Sequence, residues 1–96
     1  MISVPSFTLG IEEEYLLVHP ETGDLVREAP EELMPALREK LGAQVAREFL
    51  QCQVEVGTRV CQNISEARED LCRLRKTVAE VAAEHGFGLI ASSTHP

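Results

Sequence analysis

Three glutamates occupy positions from which their carboxylates can converge on one metal ion. Glu12 and Glu14 lie two residues apart in a segment of alternating polarity, so in a β-strand both side chains point to one face, with Cα atoms about 6.5 Å apart. Glu55 occupies one of the polar positions of a second segment of alternating polarity. Mg²⁺ takes oxygen ligands, commonly one or two carboxylates together with water and substrate phosphates. If the two strands are neighbours, the pattern predicts a magnesium site.

The same pattern has a plainer interpretation, which the pattern alone leaves open. A Glu-x-Glu pair is common on the solvated face of a sheet and needs no ligand to explain it. Against this, acids held close together on a rigid sheet repel one another unless a cation neutralises them. The middle residue of the run, Glu13, falls on the apolar positions and is the one exception to the alternation.

Alternating segments predict the strands that position these glutamates. Period 2 over residues 7–18 indicates a half-buried strand, and residues 25–26 can begin a short returning strand. Alternation over residues 49–58 predicts a second long strand with one wet face. Residues 87–91 predict a third strand, buried by composition.

Two helical stretches lie between the long strands. Pro30 followed by two acids opens the first, and its apolar stripe recurs every fourth residue: Leu33, Leu37 and Leu41. Because Pro35 lacks an amide donor, either the regular helix starts near Met34 or its first turn is distorted. Gly42 is the expected end.

The second helix is longer and has a clear start. Asn63 followed three residues later by Glu66 predicts a capping box, and an amphipathic pattern of about five turns leads to a stop at Gly86. The order of strands and helices predicts an α+β fold, a mainly antiparallel sheet with both helices packed on one face. The polar positions of the strands then form the other, open face.

Composition excludes several classes of protein. With 96 residues, 44% of them apolar, the chain is one globular domain or a piece of one, and its net charge of −7 argues against nucleic-acid binding. It has no apolar run of the roughly 20 residues that a membrane span needs and no signal-peptide pattern, so we expect a cytoplasmic protein with no membrane partner. Cys52, Cys61 and Cys72 have neither zinc-site nor disulfide-framework spacing and are expected to be reduced thiols.

Three segments resemble successive blocks of one enzyme family. The opening G-x-E-x-E signature of the carboxylate–amine ligases and type 2 glutamate–cysteine ligases is similar to FTLGIEEEY at residues 7–15. Their second block resembles QVEVGTRVC at residues 53–61, and their Gly-Thr-His-Pro block resembles STHP at residues 93–96. The blocks occur in the expected order with a helix between each pair. Arg59 stands where the family usually has Pro, and Ser93 where it usually has Gly.

The resemblance implies a glutamine-synthetase-like catalytic domain that joins a carboxylate, typically the γ-carboxylate of glutamate, to an amine through an acyl phosphate made from ATP. Glu12, Glu14 and Glu55 match the sheet glutamates that hold Mg²⁺ or Mn²⁺ on the ATP phosphates, and no catalytic acid or base is assigned. Thr58 and His95 are candidate substrate contacts. Each has a structural alternative: Thr58 as a strand-end hydroxyl that satisfies the backbone, and His95 as part of a disordered chain end.

Family members are several times longer, so the resemblance also implies that residues 1–96 are an N-terminal fragment of a single ligase catalytic domain. We therefore expect the isolated chain to be inactive. Its expected protein partner is either another copy of itself, in a homo-oligomer, or a companion chain that carries the rest of the domain. The alternative hypothesis is a non-enzymatic α+β interaction module that associates through exposed sheet edges, because unpaired edges are templates for association.

Overall fold

The computed structural model describes residues 8–47 and 52–95, and within them a four-stranded antiparallel sheet carries two helices. In chain order the elements are β1 (Glu12–Val18), α1 (Leu33–Leu41), a 3-10 turn (Gly42–Gln44), β2 (Val45–Arg47), β3 (Gln53–Gly57), α2 (Ile64–Glu84) and β4 (Gly88–His95). The strands lie side by side in the order β2-β3-β1-β4, and every neighbouring pair is antiparallel. The predicted α+β class is confirmed.

Both helices cover the same face of this sheet. Burial alternates along β1 and β3, so that Tyr15, Leu17, Val54 and Val56 point to the helices while the residues between them are exposed or half-buried. One cluster of buried side chains unites the strands with both helices: Tyr15, Leu17, Val26, Leu33, Met34, Leu37, Leu41, Val45, Val54, Val56, Leu71, Leu74, Val78, Val81 and Ala82. Burial of this apolar surface is the main force that holds the helices to the sheet.

Helix α1 accommodates its proline at the start. The helix begins at Leu33, so Pro35 lies in the first turn, where an amide has no partner inside the helix and its absence costs little. This confirms a start close to Met34. The helix ends at Leu41 because Gly42 adopts a positive φ of 58°, which favours glycine.

Helix α2 begins with the predicted cap, in a modified form. The Asn63 side chain accepts a hydrogen bond from the Glu66 amide at 2.9 Å. The Glu66 carboxylate accepts in return from the amide of Gln62 at 2.8 Å, one residue before the cap. The helix ends at Glu84, and Gly86 follows with φ 83°, as predicted. Neither described helix combines the length and the apolar character needed to cross a bilayer.

Two strand predictions need correction, and one strand was not predicted. Residues 25–26 do not form a strand, since Leu25 makes only an isolated bridge to Val18. The sequence did not indicate β2, because three residues are too short to show a period. The strand predicted over residues 87–91 is longer, running from Gly88 to His95. It is not buried, since Ile90 is 49% exposed, and within residues 8–47 and 52–95 its one neighbouring strand is β1. The predicted start of the second long strand at residue 49 lies outside the described residues.

All three cysteines are free thiols, with Cys52 and Cys61 buried and Cys72 exposed. The Cys61 thiol donates a hydrogen bond to the carbonyl of Arg59 at 3.1 Å. Cys52 and Cys61 therefore act as small apolar side chains of the interior.

Candidate metal-binding face

The three glutamates share the face of the sheet that the helices leave open. Strands β1 and β3 are neighbours, and their register pairs Glu14 with Glu55 and Glu12 with Gly57. Side chains directly opposite on antiparallel strands have Cβ atoms about 5 Å apart and lie on one face. Glu12 is exposed, and Glu14 and Glu55 are half-buried. The prediction that these strands are neighbours is confirmed, while the metal role of the glutamates stays a prediction.

A β-bulge lies beside these carboxylates on the other flank of β1. Glu14 pairs with Ser93 and Tyr15 with Ala91, so Ser92 is the extra residue of β4 at this point. The Ser92 hydroxyl approaches the Glu14 carboxylate to 3.5 Å, at the long limit for a hydrogen bond. Strand β4 thus places a polar residue next to the carboxylate face.

The donor chemistry of this face fits Mg²⁺ or Mn²⁺ shared with a substrate. Carboxylate oxygens are the ligands that both ions accept. Within residues 8–47 and 52–95, no three His, Cys, Asp or Glu side chains are close enough together to enclose a metal ion by themselves. An ion bound by one or two of these carboxylates would have to complete its shell with water and phosphate oxygens, as Mg²⁺ commonly does.

The Thr58 hydroxyl satisfies a backbone group at the end of a strand, which is the structural role considered for it above. Its hydroxyl accepts a hydrogen bond from the amide of Ile11 at 2.9 Å, and its own amide donates to the Ile11 carbonyl at 2.9 Å. These bonds continue the pairing of β1 and β3 beyond Glu12. A hydroxyl that accepts one bond can still donate its proton, so a substrate contact by Thr58 stays a prediction.

His95 is the last residue of strand β4. Residue 95 is the register partner of Glu12. The bulge is responsible for this register, because an uninterrupted ladder from the Tyr15–Ala91 pair would bring residue 94 to Glu12 instead. The bulge therefore determines which backbone position of β4 lies opposite Glu12. The contact of His95 with substrate stays a prediction.

An ion pair between a buried carboxylate and a half-exposed arginine explains why Glu13 breaks the alternation. Glu13 is fully buried, and Arg75 of α2 donates from Nε and a terminal nitrogen to its two carboxylate oxygens, both at 2.5 Å. These hydrogen bonds raise the pKa of Arg75 despite its partial burial. Burial and the neighbouring Glu13 carboxylate raise the pKa of the Tyr15 hydroxyl. The sequence pattern identified Glu13 as an exception, but it did not indicate Arg75 as the partner of Glu13.

A second buried acid holds the loop after β3. Asp70 of α2 accepts hydrogen bonds from the Arg59 amide at 2.9 Å, from the Gln44 side chain at 2.9 Å and from the Arg73 guanidinium at 2.9 and 3.1 Å. Burial alone would raise the pKa of Asp70, but these bonds and the Arg73 charge outweigh it and lower the pKa. Since Arg59 directly follows Thr58, Asp70 fixes the chain at one end of the carboxylate face.

A cleft in the described part of the chain lies away from the three glutamates. A cleft of about 550 Å³ is lined by residues of the turn after β1 and by one glycine after α2: His19, Pro20, Glu21, Thr22, Asp24 and Gly86. This turn follows the end of β1 opposite to Glu12, roughly 20 Å along the strand. The cleft is thus separate from the carboxylate face.

Similarity to known proteins covers nearly the whole chain. Residues 8–96 match the glutamate–cysteine ligase family 2. Proteins named "Putative glutamate--cysteine ligase 2" are 61% identical over 90 residues in Jannaschia sp. (strain CCS1), covering 94% of this chain and 24% of the relative. The relative in Paracoccus denitrificans (strain Pd 1222) is 52% identical over 96 residues, which cover 100% of this chain and 25% of the relative. The relative in Ruegeria pomeroyi is 57% identical over 90 residues, which cover 94% of this chain and 23% of the relative.

The chain therefore spans about a quarter of the length of these curated relatives. The family match, in contrast, extends over all of the described strands and helices. By this match the chain belongs to the glutamate–cysteine ligase family 2.

Proposed function

We propose that this chain supplies the metal-binding sheet of an ATP-dependent carboxylate–amine ligase, with Glu12, Glu14 and Glu55 as ligands of Mg²⁺ or Mn²⁺. The observation that carries the proposal is the register of β1 and β3, which sets Glu14 directly opposite Glu55 on the open face, with Glu12 two residues further along. The bound ion would neutralise charge on the ATP phosphates during phosphoryl transfer. Membership of the ligase family supports the same reaction class.

The task of this chain's own residues is to hold carboxylates in place. Strand β1 is paired on both sides, by β3 and by β4, so its backbone is fixed across the sheet. Arg75 anchors Glu13 from the helix side. Rigid placement matters because phosphoryl transfer depends mainly on positioning and on stabilising charge. None of these residues is proposed as a general acid or base.

We infer that the substrates are ATP, glutamate or a similar carboxylate, and an amine, bound over the same open face. Thr58 and His95 are the proposed substrate contacts, and both are near Glu12: Thr58 directly follows its partner Gly57, and residue 95 pairs with it. The names of the relatives specify glutamate and cysteine for those proteins. Because the chain spans about a quarter of their length, the proposal treats it as an N-terminal part of a glutamine-synthetase-like domain.

The decisive experiment is a titration of the chain with Mg²⁺ while the backbone amide resonances are followed by NMR. We expect weak binding, on the order of millimolar, because the site lacks substrate oxygens. The amides of residues 11–15 and 54–56 should shift together. The double variant Glu12→Gln/Glu14→Gln should lose these shifts.

A matched control replaces two exposed acids on the helices, Glu39→Gln with Glu69→Gln, and should leave the shifts unchanged. Shifts spread over acids on the whole surface, or shifts that survive in Glu12→Gln/Glu14→Gln, would reject the metal site. The glutamates would then be a solvated sheet face, and association through sheet edges would be the better hypothesis.

A further inference from the structure

Gly57 is a glycine that the fold of the described residues does not require. It lies in strand β3 opposite Glu12, two residues after Glu55, and its φ is not positive. Apart from its neighbours in the chain, a Cβ built at this position would meet one described atom within 4 Å, Glu12 Cγ at 3.9 Å, which is an ordinary contact. Inside a strand glycine costs stability relative to alanine, and it often marks a place where a ligand comes close to the backbone.

The missing side chain leaves a recess on the open face, beside the proposed metal ligands. The Cβ built at Gly57 approaches the Glu12 side chain, and Glu55 precedes Gly57 by two residues on the same strand. Position 57 is thus flanked by one carboxylate across the ladder and by another whose Cα is about 6.5 Å away along the strand. A ligand seated over the backbone of Gly57 would lie next to an ion bound by either carboxylate.

Hydrogen bonds fix the backbone that forms this recess. The Gly57 carbonyl accepts from Gln44 Nε2 at 3.3 Å, and the same nitrogen donates to Asp70 at 2.9 Å. Asp70 also accepts from the Arg59 amide at 2.9 Å. Both ends of the segment 57–59 are therefore tied to one acid of helix α2. A site with a fixed backbone is preorganised, because little conformational entropy is lost when a ligand binds.

Arg59 brings a positive charge to this end of the carboxylate face. Residues 58–60 separate Gly57 from Cys61, whereas residues 10 and 11 alone separate their partners Glu12 and Leu9. The extra residue forms a β-bulge, a feature that reorients side chains next to active sites. Arg59 is exposed. Among the described residues its guanidinium makes no hydrogen bond or ion pair, whereas three cations of α2 pair with acids.

We propose that Gly57 and Arg59 form an oxyanion subsite of the metal-binding face, in which Gly57 provides room and the Arg59 guanidinium provides positive charge. The ligand is a phosphate or carboxylate group of a substrate that also binds the metal ion. A guanidinium binds either group through two parallel hydrogen bonds. Arg59 is two residues from the recess, about 6.5 Å between Cα atoms, which its side chain can span. The proposal rests on the metal site proposed above and adds a substrate-binding residue to it.

Gly57→Ala tests the recess in the 96-residue chain. The urea midpoint of this variant should be no lower than that of the natural chain, because alanine fits the backbone conformation and restricts the unfolded chain. Mg²⁺ alone should bind with unchanged affinity, since the added methyl makes only an ordinary contact with Glu12. A lower midpoint would show that the fold itself needs glycine, and weaker binding of Mg²⁺ alone would assign the glycine to the metal ligands. Either result would overturn the subsite.

Two anions test the ligand, with the Arg59 Nε–H and the amides of residues 57–59 followed by NMR. The first is the equimolar complex of Mg²⁺ with tripolyphosphate, and the second is glutamate in saturating Mg²⁺. At least one should shift these resonances in the natural chain, tripolyphosphate identifying a phosphate and glutamate a carboxylate as the ligand. Gly57→Ala and Arg59→Ala should each weaken that binding about tenfold. Gly88→Ala, the same change in a strand glycine opposite Val18 at the far end of β1, should bind like the natural chain.

The titrations also distinguish failure of the subsite from failure of the metal site. If Mg²⁺ shifts the amides of residues 11–15 and 54–56 but neither anion binds, the oxyanion subsite is overturned while the metal site stands. The same conclusion follows if an anion binds to Gly57→Ala or to Arg59→Ala as tightly as to the natural chain. If Mg²⁺ produces no site-specific shifts, the metal site fails, and the subsite that rests on it fails as well.

Discussion

At the scale of single residues, Glu13 shows how one side chain selects the face of its neighbours. Residues 12–14 are three consecutive glutamates, and a slip of one residue would exchange their faces. Arg75 reaches in from the helix and binds both oxygens of the buried Glu13 carboxylate, which makes any other register costly. This ion pair therefore directs Glu12 and Glu14 to the open face.

Removing the partner of Glu13 should destabilise the fold strongly. We expect Arg75→Met to lower the free energy of unfolding by about 3–5 kcal/mol, because it removes the cation that neutralises a fully buried carboxylate. The double variant Glu13→Leu/Arg75→Met should recover most of this loss. Urea unfolding measures both, with Arg68→Met, an exposed arginine of the same helix, as control. A loss no larger than that of the control would show that the pair does not stabilise the fold.

Arg59 gives the second prediction at this scale. Its amide donates to Asp70, and proline, the residue usual in the family at this position, has no amide hydrogen to donate. Arg59→Pro should therefore lower the free energy of unfolding by about 1–3 kcal/mol, the range for a hydrogen bond to a charged group. Arg59→Ala keeps the amide and should change stability little. Equal losses in the two variants would assign the effect to the side chain instead.

At the scale of elements, helix α2 fastens the sheet at two points. Arg75 holds the middle of the Glu12–Glu14 run on β1, and Asp70, five residues earlier, holds the Arg59 amide after β3. The two strands that carry the glutamates are thus tied to one rigid helix. This arrangement fixes their relative register from the face opposite to the carboxylates.

The contribution of Asp70 should depend on pH in a defined direction. Its pKa is lowered in the folded state, so its stabilising effect is present above its unfolded pKa of about 3.9 and disappears as the pH falls through the folded pKa. The difference in unfolding free energy between the natural chain and Asp70→Asn should be about 1–3 kcal/mol at pH 7 and should shrink below pH 4. Glu69→Gln, an exposed neighbour, is the control. A difference that stays constant down to pH 2 would contradict a charged Asp70.

At the scale of the whole molecule, the proposed metal and substrate site is incomplete in this chain. The chain spans about a quarter of the length of its relatives, and among the described residues the proposed metal ligands do not form a closed set. We therefore predict that the purified 96-residue chain releases no ADP from ATP above background with glutamate and a panel of amines. The intact relative from Jannaschia sp. (strain CCS1) serves as the positive control. Clear turnover by the short chain, abolished by Glu12→Gln, would show that the site is complete.

Local patterns in the sequence were sufficient for the parts of the structure that short segments determine. Alternation predicted β1 and β3 and the outward positions of Glu12, Glu14 and Glu55, because the side-chain period of a strand is a property of the backbone. Capping at Asn63 and the stops at Gly42 and Gly86 were likewise readable, because each depends on a few adjacent residues.

Only the tertiary structure decided which distant groups meet. The partner of Glu13 is 62 residues away in the chain, and periodicity does not encode the choice of partner. The same holds for the edge position of β4 and for the bulge that brings residue 95 opposite Glu12, because register depends on how whole strands pair. Strand β2 could not be predicted from the sequence for a related reason. Its three residues are extended because they pair with β3, and this neighbour is present only in the folded chain.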